Sequence, residues 1–195
     1  MSEKALFHQL EKDIGAVLAE KHDDRSIIEG VKPLLQNLLE NKHLLPKDLQ
    51  VSLPGKYAQY LLYKPQNEAF SVIAFVWGPG QVAPVHDHLV WGLVGIYRGS
   101  VVEKRYRRVD HGEGAFPRYE VREVGEVTAK QGDISFVYPP DYDIHGVANP
   151  FDEVAITIHI YGTDIGKQPR HIHDVATGSS RDVITKHDNA EAVYH

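Results

Sequence analysis

The sequence has no cysteine among its 195 residues. This absence excludes disulfide bonds, thiolate–metal sites and a cysteine nucleophile. The sequence also lacks the run of roughly 18 or more apolar residues that a membrane-spanning helix needs, and its charged N-terminal segment lacks the apolar core of a secretory signal peptide. We therefore expect a cytoplasmic protein with no membrane partner.

An excess of positive charge is absent as well. The chain has 21 Lys and Arg against 27 Asp and Glu, which gives a formal net charge of −6. Nucleic acids and acidic membranes select basic surfaces, so neither is expected as the main partner. The proportions of hydrophobic residues (42%) and charged residues (25%) are ordinary for a soluble globular protein, and the length suits a single domain over residues 1–195.

The N-terminal segment, residues 1–50, has apolar residues at helical spacing and predicts helices. Ser2 is a suitable N-cap for the first helix, and Pro33 is expected in the first turn of the second, where proline is tolerated. The two apolar stripes consist of Leu6, Leu10, Ile14, Val17 and Leu18, and of Ile27, Ile28, Val31, Leu34, Leu35, Leu38 and Leu39.

From residue 56 to residue 187 the pattern changes to short segments rich in β-branched and aromatic residues. Turn residues separate them, at 78–80, at Gly112 to Gly114 and at Pro139-Pro140. Strands at this spacing predict a mainly β sandwich or barrel. The predicted strands lie within residues 57–64, 70–77, 93–106, 118–127, 132–138 and 153–161, with a further candidate at 182–186.

The strongest local motif is His86-Asp87-His88, which follows an apolar segment. Residues i and i+2 of a strand point to the same face, so both imidazoles can reach one metal ion while Asp87 points away. His145 is the candidate third ligand. Imidazole suits zinc, copper, iron and nickel, so the ligands alone do not select the metal. The histidines interpreted as ordinary solvated residues are His8, His22, His43, His111, His187 and His195.

The wider spacing resembles the two motifs of the cupin superfamily. Gly80, His86, His88 and Gly99 match the first motif, and Gly132, Pro140, His145 and Asn149 match the second. The resemblance implies a cupin jelly-roll barrel carrying N-terminal helices. Most cupins also have a glutamate ligand four residues after the second histidine, and Gly92 occupies that position here. A three-histidine site remains, and its uncompensated charge favours anionic ligands such as a thiolate.

Within that superfamily the chain resembles the bacterial cysteine dioxygenase-like thiol dioxygenases. The resemblance rests on residues 57–59, Trp77-Gly78, 86–88, Trp91-Gly92, His145 and 157–161. It implies Fe(II) as cofactor, molecular oxygen as co-substrate and conversion of a small thiol to its sulfinate. Trp77 and Trp91 are expected to wall the site or the core, without a chemical role.

Two departures from the animal cysteine dioxygenases bear on the substrate. Gly92 stands where those enzymes have a cysteine crosslinked to the pocket tyrosine, so no crosslink can form. Gln59 stands where they have an arginine that binds the carboxylate. The glutamine form resembles the 3-mercaptopropionate dioxygenases, whose substrate has no α-amine, and Arg170 is the best match to their carboxylate-binding arginine. Arg170 could equally be a solvated loop residue.

Thr157, His159 and Tyr161 alternate along one predicted strand. They could form an inward hydrogen-bonded chain that delivers the phenol to the metal, with His159 fixing the phenol and Thr157 fixing the imidazole tautomer. They could instead form a solvated outer face, with Ile156, Ile158 and Ile160 facing the core. The family resemblance favours the inward chain.

The sequence leaves other functions open. The same three histidines could serve a cysteine dioxygenase or another metal-dependent cupin enzyme, such as a dioxygenase acting on carbon or an isomerase. A non-catalytic metal-binding or ligand-sensing cupin is a further alternative. Thiol-dependent oxygen uptake separates a thiol dioxygenase from other cupin enzymes and from a non-catalytic module.

Overall fold

The computed structural model describes residues 2–109 and 118–195, so His111 and the glycines at 112 and 114 lie outside the described residues. Two helices, α1 and α2, precede a short 3₁₀ helix and then the strands. Their bounds are α1 Glu3–Glu20, α2 Asp24–Leu39, the 3₁₀ helix Lys47–Leu49, β1 Ala58–Tyr63, β2 Ser71–Trp77, β3 Val82–His86, β4 Gly92–Arg98, β5 Ser100–Arg108, β6 Val121–Lys130, β7 Ile134–Val137, β8 Ile144–Ala148, β9 Ala155–Tyr161, β10 Arg170–Asp174 and β11 Ser179–Val183.

The strands form two antiparallel sheets. One has the order β1-β2-β9-β4-β7, and the other has the order β11-β10-β3-β8-β5-β6. Strands β2 to β9 interleave between the sheets, so that β2, β9, β4 and β7 oppose β3, β8, β5 and β6. This interleaving is the jelly roll, and it places both predicted motifs in one barrel.

The two helices cover the outer face of the sheet that contains β9. Phe7, Ile14 and Leu35 are fully buried in one cluster with Ile156, Ile158 and Ile160. Side-chain oxygens of Ser2 and Asp23 cap the two helices, as expected for these residue types. Neither described helix is long and apolar enough to span a membrane.

The sequence suggested that Pro33 lies in the first turn of α2, but the structure has it inside the helix. An interior proline removes one backbone hydrogen bond and costs about 3 kcal/mol in an isolated helix. The apolar face of α2, which includes the buried Ile28, Val31 and Leu35, packs against the sheet and keeps the helix intact across the proline.

Strand β9 buries both of its faces. Its isoleucines pack against the helices, while Thr157, His159 and Tyr161 face the space between the two sheets, where Phe75 and Trp77 of β2 also lie. The solvated-face alternative for these three residues is therefore wrong, because their side chains are buried between the two sheets. Both faces of β9 belong to the core.

The last part of the chain returns to the barrel. Strand β10 extends the second sheet beside β3, with Ile172 opposite His86, and β11 ends at Val183 rather than continuing over residues 182–186. The segment after it lies along β1, where Asp188 bonds to the backbone of Gln59, and Asn189 to that of Leu61. This contact covers the free edge of the first sheet.

Candidate metal centre and substrate pocket

Three histidines converge on one point inside the barrel. His86 ends β3 and pairs with His145 of β8, while His88 follows two residues after His86. One ring nitrogen of each lies within 4.8 Å of the others, and the ring centroids are 4.8 to 4.9 Å apart. Among the described residues, this is the one group of three or more potential ligands close enough to hold a metal ion.

The tautomer of His88 is set by its neighbour Asp143. The Nδ1 of His88 lies 3.0 Å from the carbonyl oxygen of Asp143, which can only accept, so Nδ1 carries the proton. The carboxylate of Asp143 also accepts the backbone N–H groups of His88 and Leu89. The Nε2 of His88 is buried and has no hydrogen-bond partner among the described residues. This orphaned lone pair is what a metal ligand requires.

His86 and His145 are oriented in the same way. The Nδ1 of His86 donates to the carbonyl oxygen of Pro84 over 2.7 Å, and the Nδ1 of His145 donates to Glu103 Oε1 over 3.1 Å. In each case the proton is fixed on Nδ1, and Nε2 keeps its lone pair. The three Nε2 atoms therefore fit one side of the coordination sphere of a divalent metal ion, and the other side is left to solvent or substrate.

The electrostatics of the site favour a neutral imidazole at His86 and an ionised carboxylate at Glu103. Burial, together with the neighbouring histidines, lowers the pKa of His86 well below its ordinary value. Burial opposes ionisation of Glu103, but the hydrogen bond from His145 and the charge of Arg105 outweigh it and lower the pKa of Glu103 to about 2. Glu103 is therefore an ionised acceptor that orients His145, at a position from which sequence reasoning expected no role.

Gly92 admits no side chain in this structure. A Cβ at Gly92 would lie 2.5 Å from Cδ1 and 2.8 Å from Cε1 of Tyr161, which is opposite it on β9. The Tyr161 ring occupies this space and stacks on His88, with ring centroids 5.4 Å apart. A carboxylate ligand at position 92 is thus replaced by a phenol beside the metal ligands.

The predicted chain of polar groups on β9 is present. Thr157 Oγ1 lies 2.7 Å from His159 Nε2, and His159 Nδ1 lies 2.8 Å from the Tyr161 hydroxyl. All three side chains are buried, with His159 packed against Phe75. Burial raises the pKa of Tyr161 well above its ordinary value, so the group beside the metal ligands is a protonated phenol.

Arg170 lies in the same pocket at the start of β10. Ile172, two residues further along β10, is opposite His86 on β3, so Arg170 faces the same side of the sheet as His86. Burial, with a smaller effect of the Arg170 charge, lowers the pKa of His86, His88 and His159. The side chain is 6% exposed. Within residues 2–109 and 118–195 it makes no ion pair, and its Nε has no hydrogen-bond partner. A buried cation without a counterion is a strong indication of an anionic ligand.

Gln59 is also buried, but its amide is held by the C-terminal segment. Nε2 donates to the carbonyl oxygen of Thr185 over 3.1 Å and lies 3.3 Å from His187 Nδ1. Oε1 has no partner among the described residues. An amide oxygen can only accept, so in this arrangement Gln59 offers no free donor to a carboxylate. Its predicted contact with the substrate carboxylate stays a prediction.

Asp87 points away from the metal ligands, as its position in the strand predicted, and binds β10. Its carboxylate accepts the backbone N–H and the Nδ1–H of His171, both over 2.7 Å, and lies 3.4 Å from His173 Nε2. The contact connects the histidine motif to the strand that carries Arg170. The residues involved are 84 positions apart, and no sequence pattern indicated it.

The remaining histidines divide into two groups. His8, His22, His43 and His195 are exposed, as expected for ordinary residues. His187 was expected to be solvated, and this prediction is wrong, because its Nε2 donates to the buried Asp164 over 2.7 Å. The chain fold brings it against the first sheet, where it helps to hold the C-terminal segment.

No protein-family model matches the sequence. Structural comparison finds a protein from Thermus thermophilus that is 22% identical, with a TM-score of 0.45 over 60% of this chain and 92% of that chain. An uncharacterized protein with a double-stranded β-helix domain from Klebsiella pneumoniae is 18% identical, with a TM-score of 0.44 over 64% and 91%. A cupin superfamily protein from Desulfitobacterium hafniense is 14% identical, with a TM-score of 0.43 over 64% and 94%.

The interleaved strand order defines the fold as a jelly roll with two N-terminal helices, as the sequence predicted. The barrel contains a three-histidine group that can hold a metal ion.

Proposed function

We propose that the protein is a mononuclear iron thiol dioxygenase that converts a small thiol carboxylate, best represented by 3-mercaptopropionate, to its sulfinate. The observation that carries the proposal is the uncompensated Arg170 guanidinium beside three metal-binding imidazoles. In the balanced reaction one thiolate and one dioxygen molecule give one sulfinate. A ferrous ion held by His86, His88 and His145 would supply the charge that stabilises the thiolate and the redox chemistry that dioxygen requires.

Charge balance supports a substrate with two anionic groups. Three imidazole ligands, each with its proton on Nδ1, leave the full double charge on a divalent ion, and Arg170 adds a third positive charge to the same buried site. A thiolate and a carboxylate on one molecule neutralise two of these three charges. A neutral thiol would leave the guanidinium buried and unpaired, which costs free energy.

The described carboxylates near the site are all engaged, which disfavours a substrate ammonium. Asp87 binds β10, Asp143 binds the backbone beside His88, and Glu103 binds His145 and Arg105. None of these three faces the pocket as a free anion. An amino acid thiol would therefore bury its ammonium without a partner, whereas 3-mercaptopropionate carries no amine.

The chain's own residues have distinct tasks in this proposal. Arg170 binds the substrate carboxylate and thereby positions the thiol near the three histidines. Tyr161, stacked on His88, presents its phenol to the reacting groups, and His159 and Thr157 hold that phenol in place. The apolar wall formed by Phe75, Trp77 and Tyr57 excludes water from the reacting side.

Oxygen uptake by the iron-loaded protein tests the proposal with pairs of thiols that differ in one group. We expect kcat/KM for 3-mercaptopropionate to exceed that for 1-propanethiol by about 10²-fold, the effect of removing one partner of a buried charge pair. Arg170→Gln should abolish this preference and leave the iron content unchanged. Arg98→Gln is the matched control, because Arg98 is exposed and, within the described part of the chain, its side chain bonds to Gln50 alone.

Two results would contradict the proposal. If no thiol stimulates oxygen uptake by protein that contains iron, the site has another function. If thiols are oxidised but Arg170→Gln keeps the full preference for the carboxylate, the role given to Arg170 is wrong.

A further inference from the structure

Trp77 extends the polar chain of β9 by one member. Its indole Nε1 lies 3.0 Å from Thr157 Oγ1, and both groups are buried. The indole N–H can only donate, so the threonine hydroxyl must accept this bond. The ring is held by Tyr57, with centroids 4.5 Å apart, and the Trp77 carbonyl accepts from Asn149. The direction of the first bond in the chain is therefore fixed.

The direction of the second bond follows from counting hydrogens. Thr157 has one hydroxyl hydrogen, and its side chain has two hydrogen-bond partners among the described residues, Trp77 and His159 Nε2. Because the indole can only donate, His159 Nε2 is the one partner of the two that can accept the hydroxyl hydrogen, and the buried hydroxyl donates to it. That nitrogen must then carry a lone pair rather than a proton.

The third bond is determined in turn. Burial and the charge of Arg170 disfavour a charged His159, so its single proton lies on Nδ1. Nδ1–H then donates to the Tyr161 hydroxyl oxygen over 2.8 Å. With its oxygen already accepting from His159, the phenol retains its own hydrogen for a group in the pocket. In the opposite tautomer Tyr161 would donate to His159, and the pocket would face a phenol oxygen that only accepts.

We propose that Trp77 is a positioning residue that sets the direction of this chain, so that Tyr161 donates a hydrogen bond toward the metal ligands. The role of that donor in turnover rests on the proposed function, since it would hold an oxygen atom or the sulfur during the reaction. The tautomer of His159 is independent of any activity. The indole bond holds the Thr157 hydroxyl in one orientation. Without it the hydroxyl can rotate, turn its hydrogen away from His159 and accept from His159 Nε2–H, so that the chain can reverse.

The direct test is ¹⁵N NMR of the histidine side chains in the full-length protein loaded with Zn²⁺, which is diamagnetic. In the wild type we expect His159 to be protonated at Nδ1 and unprotonated at Nε2, with the His159→Gln spectrum giving the assignment. In Trp77→Phe we expect the proton to move wholly or partly to Nε2. Trp91→Phe is the matched control, because it removes a buried indole that lies outside the chain.

The iron-loaded variants give a second readout. Trp77→Phe should lower kcat for 3-mercaptopropionate about 10-fold through loss of one oriented donor, with KM within about twofold of the wild type. An Nε2-protonated His159 in the wild type overturns the proposal, even if Trp77→Phe does not fold. An unchanged His159 tautomer in folded Trp77→Phe overturns the role of Trp77. Failure of the proposed function would appear separately, as absent thiol turnover alongside the expected tautomer.

Discussion

At the scale of single residues, Gly92 shows how one missing side chain shapes the site. Strand β4 passes so close to β9 that the Tyr161 ring fills the space where a Cβ would stand. A glutamate side chain at position 92 and the Tyr161 ring would need the same space, so only one of them can be present. The three-histidine site and the buried tyrosine are therefore two consequences of the same residue.

This close contact makes Gly92→Ala a sharp substitution. The added methyl group must push the Tyr161 ring away, so we expect the free energy of unfolding to fall by about 1–3 kcal/mol and turnover of 3-mercaptopropionate to fall with it. Iron content should stay at the wild-type level because the three histidines are not touched. Gly125→Ala is the control, since a Cβ at Gly125 meets no atom within 4 Å. Full activity in Gly92→Ala would show that the ring position is not needed.

Local sequence patterns made the candidate metal ligands and the polar chain of β9 predictable. Same-face spacing in strands identified His86 and His88, and the alternation on β9 identified Thr157, His159 and Tyr161, because both depend only on residues two positions apart. The residues that orient the imidazoles were missed. Glu103 reaches His145 from 42 positions away, and Asp143 reaches His88 from 55 positions away, so only the fold brings them together.

At the scale of elements, the junction between β3 and β10 determines where Arg170 lies. Strand β10 has the sequence Arg-His-Ile-His-Asp, which shows no apolar alternation and gave no strand prediction. It forms a strand because β3 and β11 pair with it and because Asp87 accepts the backbone N–H and ring N–H of His171. The sequence could not decide between a solvated and a buried Arg170 for this reason.

Asp87→Asn tests this junction. An asparagine keeps the size of the side chain but weakens both bonds to His171, so Arg170 should be held less firmly. We expect KM for 3-mercaptopropionate to rise about 10-fold, as is typical when an orienting partner is lost, with a smaller change in kcat. Asp182→Asn is the control, because Asp182 is exposed and lies 3.6 Å from His171 Nε2. A collapse of kcat at unchanged KM would contradict a role through Arg170.

At the scale of the whole molecule, the buried Asp164 ties three distant parts of the chain together. Its carboxylate accepts from Lys64, which follows β1, and from His187 in the C-terminal segment, each over 2.7 Å. Burial opposes its ionisation, but the hydrogen bonds from His187 and Lys64 outweigh burial and hold the pKa of Asp164 well below its ordinary value. The network therefore stabilises the fold only while Asp164 is ionised.

The sign of the pH dependence follows from that lowered pKa. The contribution of Asp164 is fully present above the unfolded-state pKa of about 3.9 and is lost as pH falls through the folded-state pKa. We expect Asp164→Asn to lower the free energy of unfolding by about 1–3 kcal/mol at pH 7, with a smaller difference from the wild type below pH ~4. Urea unfolding of both proteins across this range measures it. The exposed Asp48→Asn is the control, and a difference that grows toward low pH would contradict the account.

The same scale determines what the sequence could show about the fold. The helical stripes predicted N-terminal helices and the short strands predicted a mainly β sandwich or barrel, because each of these signals repeats along many residues. The jelly roll was implied by the resemblance to the two cupin motifs. The position of the C-terminal segment along β1 had no such signal, since its contacts are polar side chains such as Asp188 and Asn189 meeting a strand edge. The environment of Gln59 and His187 depends on that contact and could not be predicted.

The central claim is tested most directly by measuring oxygen consumed and sulfinate formed by the iron-loaded wild type with 3-mercaptopropionate, cysteine, cysteamine and mercaptosuccinate. The account predicts one sulfinate for each dioxygen consumed, with both oxygen atoms derived from dioxygen, and a higher kcat/KM for 3-mercaptopropionate than for cysteine. A cysteine value equal to or above that of 3-mercaptopropionate would overturn the substrate assignment alone. The absence of thiol-dependent oxygen uptake, or uptake without sulfinate, would contradict the thiol dioxygenase itself.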